Sequence, residues 1–336
     1  MNALNTGRAG HWRDRALRAG LMLTTALTAS VFLTTSAHAG NWTGATGDWF
    51  DPANWDSGVP TAGDYATMDN GGTAQIEAPG AVSQGVVAGF NSGSGNSGTS
   101  GTVEVSGSDA SWANTFSIYL GYDGTGTLAV REGGSVTAQG AFLGFESPGL
   151  GELNVDGEGS LFVVSSYLTI GSAGEGRLNI TNGAAVNSGT SGIGEVAGST
   201  GSVTVDGEGS SWYSQHEITV GNNGQGRLDI ANGGSVTSDS YVFLGVYTGS
   251  TGTVTVDGEG STLDAAGDLW VGVYGEGILE ITNGGAVRND EGTLGVLGSG
   301  RATVDGEGSS WINTGRLFVG DTGDGSLEIT NGGVVR

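Results

Sequence analysis

Leu178 and Ile180 alternate with Arg177 and Asn179, and Val203 and Val205 alternate with Ser202 and Thr204. Apolar residues at every second position describe a strand with one buried face, because successive side chains of an extended chain leave on opposite sides. A phrase of this form, Gly-x-Leu/Val-x-Ile/Val, begins at Gly101, Gly126, Gly151, Gly176, Gly201, Gly226, Gly252, Gly277, Gly300 and Gly325, at intervals of 23 to 26 residues. Each unit carries a second apolar beat that ends in glycine: Ile118 to Gly121, Leu168 to Gly171, Ile218 to Gly221, Leu269 to Gly272, Leu317 to Gly320. No window has a helical period of 3.6, and 68 glycines argue against long helices.

Units of about 25 residues with two or three short strands are too small to close a core alone. Stacked, each becomes one coil of a parallel β-helix whose inward Leu, Ile and Val pack on the coils above and below. The pattern therefore predicts an all-β solenoid of about ten coils, a rod on the order of 50 Å at the usual strand spacing. A β-propeller is the alternative, but its blades need about 40 or more residues and four strands each.

The turns come in two alternating forms. One reads Val-Asp-Gly-Glu-Gly-Ser at 155–160, 205–210, 256–261 and 304–309; the other reads Ile-Thr/Ala-Asn-Gly at 180–183, 230–233, 281–284 and 329–332. Aligned, Gly207 stands opposite Asn232 and Gly258 opposite Asn283, and Gly and Asn are the residues that tolerate a left-handed backbone. This column is expected to be a turn corner. Alternation also separates charge: Thr181, Ala231 and Thr282 interrupt what would be a ladder of Asp156, Asp206, Asp257 and Asp305, spacing the carboxylates at about twice the strand separation. A calcium ladder would need six to eight converging oxygens per ion, which alternation opposes.

Trp112, Phe162, Trp212, Leu263 and Trp311 follow one turn form, and Val136, Val186, Val236 and Val287 follow the other. Large residues set against small ones on neighbouring coils suit interdigitated packing better than a strip of sugar-stacking rings. Residues 40–100 are irregular: Trp42, Trp49 and Trp55 crowd the opening, residues 85–89 read as a first irregular coil, and 91–101 read as a flexible loop. The tryptophans are expected to cap the open end of the stack, with a carbohydrate-binding patch as the sharper alternative.

Four arginines before residue 19, an apolar run from Leu21 to Leu33 and Ala37-His38-Ala39 make residues 1–39 a secretory leader, too short for a stable membrane span. Removing its four arginines and Asp14 takes the net charge from −24 to −27. Such an acidic surface repels nucleic acid and anionic lipid. Beyond the leader there is one histidine, His216, with no lysine and no cysteine, so multi-His or multi-Cys zinc sites are excluded. Nucleophilic triads are excluded too, apart from any built on His216, which is expected to be solvated. The Gly-x-x-Gly-x-Gly loops, such as 221–226, resemble dinucleotide fingerprints only superficially, since strands flank them on both sides. No catalytic, cofactor-binding or metal-binding residue is assigned.

The composite pattern LxITNGGxV…LG…GxVTVDGEGSxW…LxVGxxGxG over 101–336 resembles the repeat of type V secretion (autotransporter) passengers and of certain PEP-CTERM exported proteins. The resemblance implies a right-handed parallel β-helix at the surface of a Gram-negative cell or released from it, acting as an adhesin or a stalk. Implied partners are glycans or proteins of host or bacterial surfaces, with the outer membrane reached through a translocator that this sequence does not contain. The sequence stops at Arg336 part-way through a coil, so the repeat array is expected to continue in a longer product. The competing class is a β-helix polysaccharide lyase or glycoside hydrolase. That class needs carboxylates and a base gathered in one groove, and the candidate bases Arg131, Arg177 and Arg227 all stand at repeat positions.

Overall fold

The computed structural model describes residues 39–90 and 99–336. The leader expected over 1–39 lies outside the described residues except for Ala39, and so does 91–98 of the glycine–serine stretch. The rest is a parallel β-solenoid with one three-residue helical turn, Pro52–Asn54, capped by the Asp51 side chain.

Twelve strands stack in parallel as the first column of the solenoid: Thr46–Asp48, Thr73–Ile76, then ten seven-residue strands from Ser100–Ser106 to Asp324–Thr330. Gly101 lies beside Gly126, Gly126 beside Gly151, and the series continues one coil at a time to Gly300 beside Gly325. The sequence period is thus the vertical register. About twelve coils result rather than ten. The two extra coils come from the irregular opening, where Thr46 pairs with Thr73 and Thr73 with Thr102, spacings longer than the repeat and without its glycine phrase.

Two further columns complete each coil. Short strands from Ala81–Ser83 to Val334–Val335 form the second, and strands from Ala39–Asn41 to Leu317–Val319 form the third. Strands Ser135–Leu143 and Leu161–Ile170 run through the corner between them and join both columns into one sheet.

Inward residues of all three columns make a single continuous core. The expected size alternation is present within it: Trp212 stands between Val186 and Val236, and Trp311 beside Val287, all buried. The indole N–H groups of three core tryptophans are met from the preceding coil, Trp112 by Ser83, Trp212 by Ser188 and Trp311 by Asn289, the acceptor that a buried indole usually finds; those of Trp42 and Trp49 have none.

The glycine that opens each phrase is a matter of contact. At Gly252 a Cβ would sit 2.0 Å from the carbonyl oxygen of Val220 on the preceding coil. Any side chain there would force the coils apart.

The tryptophan-rich opening is wound into the cylinder as its first coil. Trp42 and Trp55 form an antiparallel bridge, their rings pack edge to face at 5.0 Å, and Trp49 reaches Trp112 at 5.1 Å. Trp42, Trp49 and Trp55 are buried, so they present no open ring face for a sugar.

Candidate functional site

The repeated acidic turn joins coils. In 205–210, Gly207 and Gly209 have φ of 95° and 82°, a left-handed geometry that glycine adopts without strain. One coil on, Asn232 and Gly233 take φ of 52° and 88°, so the aligned Gly/Asn column is the corner that the sequence pattern predicts.

The two turn forms are chemically complementary. Each serine closing the acidic turn is buried and donates to the carbonyl of its own aspartate, as Ser210 does to Asp206 at 2.7 Å. The same hydroxyl accepts from a glycine N–H of the preceding coil: Gly183 to Ser210, Gly233 to Ser261, Gly284 to Ser309, each at 3.0–3.1 Å. Each aspartate binds the following coil. Thr181 Oγ1 and Asn182 Nδ2 both donate to Asp156 Oδ1 at 2.6 Å, and Thr282 with Asn283, and Thr330 with Asn331, do the same for Asp257 and Asp305. At Asp206 the partner coil has Ala231, and Asn232 alone donates.

Serine therefore fastens backwards and aspartate forwards. The hydroxyl donor of Thr181 and the amide donor of Asn182 hold the Asp156 carboxyl below its usual value, helped by the Arg131 charge and opposed by burial. Thr330 and Asn331 do the same for Asp305.

The remaining candidates are spent on structure or left apart. Arg131 pairs with Glu104, Arg177 with Glu175 and Arg227 with Asp229, each half-exposed on the outer surface. His216 is exposed. Among the described residues, no three or more His, Cys, Asp or Glu side chains converge as metal ligands, and no helix is long and apolar enough to cross a membrane.

A second chemical feature runs along the third column and the corner that follows it. Its outward residues form two aromatic clusters. In the first, Tyr119 stacks on Phe142 at 5.3 Å while Tyr122 and Phe145 pack at 5.0 Å, with Phe90 edge-on to Tyr122. In the second, Phe243 lies edge-on to Trp270 at 5.2 Å, beside Tyr241.

Between the clusters the same positions carry Thr169, Ser172, Gly192, Glu195, Thr219 and Asn222. Asn222 Nδ2 donates to Glu195 Oε1 at 2.9 Å. Burial pushes the Glu195 carboxyl up to about 7, against the opposing pull of that hydrogen bond. Sequence reasoning passes over Glu195, because its corner, 194–201, is two residues longer than its neighbour 221–226 and breaks the visual alignment.

No family model matches the chain, and no curated protein matches it significantly. Among solved structures, a crystal structure of the TibC-catalysed hyper-glycosylated TibA55-350 fragment is similar at 19% identity and a TM-score of 0.39, over 90% of this chain and 94% of that one. At that distance the likeness defines neither the fold nor the activity of this chain.

Proposed function

We propose that the protein is a non-enzymatic, exported surface rod of the autotransporter-passenger kind, serving as an adhesin or as the stalk that presents one. The observation that carries this reading is where the repeated chemistry goes. The carboxylates, hydroxyls and amides of Asp156, Ser210, Asn283 and their equivalents are consumed in binding one coil to the next, and the core tryptophans in filling it. A polysaccharide lyase or hydrolase would instead gather a base and carboxylates in one groove. Here Arg131, Arg177 and Arg227 are each paired with a carboxylate on the outer surface of the coils.

Export and surface placement are supported by the leader-like residues 1–39 and the strong negative charge. Two measurements on one preparation test the reading. The purified chain should release no reducing ends from bacterial or plant polysaccharides, and cells displaying it should adhere to glycan- or protein-coated surfaces above a control lacking it. Turnover that disappears on replacing a single carboxylate would reverse it.

A further inference from the structure

In a chain with 35 acidic and 11 basic residues, the outward face of the second column carries no charge over seven successive coils. Register stacks Val82, Ala113, Thr137, Val163, Asn187, Tyr213 and Thr237 one above another. The outward row beside them, from Ser111 to Ser235, is serine, leucine or alanine at every coil. The corner that leads on to the third column is likewise free of carboxylates and arginines until Glu217 and Asp239. Over the same height the first column presents Glu104, Arg131, Glu152, Asp156, Arg177 and Asp229.

The exposed apolar side chains gather on this uncharged face. Among the described residues, the large apolar or aromatic side chains with more than a third of their surface open are Val82, Phe116, Tyr167 and Tyr213, together with three in 319–334 of the last coil. Scattered singly, such residues would call for no explanation; collected on one charge-free sheet they mark a contact surface. The Tyr213 hydroxyl donates to Asp239 on the next coil, which holds that ring in place while leaving it open.

The chemistry of the face selects its occupant. With no cation on it, an anionic polymer or lipid finds nothing to pair with, and with no carboxylate, neither does a basic one. The occupant is therefore neutral. A second copy of the chain is a poor fit. Six residues wide and seven coils tall, the face offers about 20 by 30 Å, at the bottom of the roughly 600–1,000 Å² that each partner of a stable protein complex buries. Its serines and alanines are also residues in which protein interfaces are depleted. Hydroxyls and amides interspersed with open rings suit sugars, whose own hydroxyls exchange hydrogen bonds and whose apolar C–H faces lie on aromatic rings.

Spacing narrows the class. Phe116, Tyr167 and Tyr213 belong to alternate coils of the stack, so successive rings are separated by about 9–10 Å along the rod. That interval matches every second sugar of an extended β-1,4-linked chain, the sugars that present the same face.

We propose that the second-column face binds a neutral, extended β-1,4-linked polysaccharide laid along the rod, with sugar rings on Phe116, Tyr167 and Tyr213 and hydrogen bonds to the serine, threonine and asparagine side chains between them. The proposal rests on the reading of the chain as a surface rod and names what the rod holds.

Affinity electrophoresis of the purified chain tests it, in native gels cast with hydroxyethyl cellulose, galactomannan or, as the anionic counterpart, polygalacturonate. At least one neutral polymer should retard the chain, polygalacturonate should not, and added salt should leave the retardation unchanged. A Tyr167→Ala/Tyr213→Ala variant, shown by circular dichroism to be folded, should bind about tenfold or more weakly, the loss expected for two stacking rings. Arg177→Ala, on the first column, should bind as the parent does. Retardation by neither neutral polymer, equal binding by the double tyrosine variant, or preference for polygalacturonate overturns the proposal. So does a dimer in sedimentation that the double variant returns to monomer, which would give the face to a second copy. Displaying cells that adhere to protein-coated surfaces while the chain ignores both neutral polymers would overturn this proposal and leave the surface-rod reading standing.

Discussion

The Ser210 hydroxyl accepts a hydrogen bond from the Gly183 N–H, 27 residues earlier and one coil away. Because it also donates to Asp206 O within its own turn, one small side chain closes the turn and binds it to its neighbour. Ser210→Ala should cost about 1 kcal/mol or somewhat more, since the Gly183 amide loses its partner. Glu208→Ala, on the exposed tip of the same turn, should stay within about 0.5 kcal/mol of the parent. Denaturant titration of both variants gives the comparison, and equal effects would remove the role assigned to serine.

Asn232 combines a left-handed backbone, φ 52°, with a hydrogen bond to Asp206. The two contributions separate by substitution. Asn232→Gly keeps the backbone and loses the bond, for about 1 kcal/mol. Asn232→Val loses the bond and adds roughly 1–2 kcal/mol of left-handed strain. Thermal melts should order the series parent, then Gly, then Val.

Acid should loosen the clasps. Asp156 and Asp305 are depressed below their ordinary value of 3.8 by the donors of the following coil. Unfolding then takes up protons, so their contribution is complete above about 3.8 and is lost as pH falls through the folded values. Circular dichroism melts from pH 5 down to pH 2 should show falling stability. The fall should be less steep in an Asp156→Asn/Asp305→Asn double variant.

Trp212 fills the space between Val186 and Val236. Trp212→Ala should cost about 3–5 kcal/mol by leaving a cavity. Val236→Phe, which sets a ring between Trp212 and Leu263, should cost about 1–3 kcal/mol through overpacking. Equilibrium unfolding of both variants checks that size is specified at each level of the stack.

Much of this architecture can be read from spacing. The interval from Gly201 to Gly226 is the pairing between those residues, and the Asn232 corner follows from what a left-handed turn tolerates. The opening coils are less legible, because burial there depends on Trp42 and Trp55 meeting each other rather than on a repeated phrase. The alternation of Asp156 with Thr181 reads from sequence as charge dilution; the structure adds that each carboxylate needs the donor opposite it. The serine bond cannot be read from sequence, since its partner is a backbone amide on another coil. Glu195 becomes visible once the register aligns it with Ser172 and Asn222.

Vertical register underlies every one of these effects, and a cysteine-free chain offers a clean way to measure it. Thr204 pairs with Asp229, and Asp229 with Thr255, so Thr204 and Thr255 stand two coils apart, about 9–10 Å at the usual strand spacing. Under mild oxidation Thr204→Cys/Asp229→Cys should close a disulfide in nearly all molecules, whereas Thr204→Cys/Thr255→Cys should not, since bridged Cα atoms lie about 4.4–6.8 Å apart. A free first pair, or equal bridging in both, would mean that the segments do not wind coil on coil in this register.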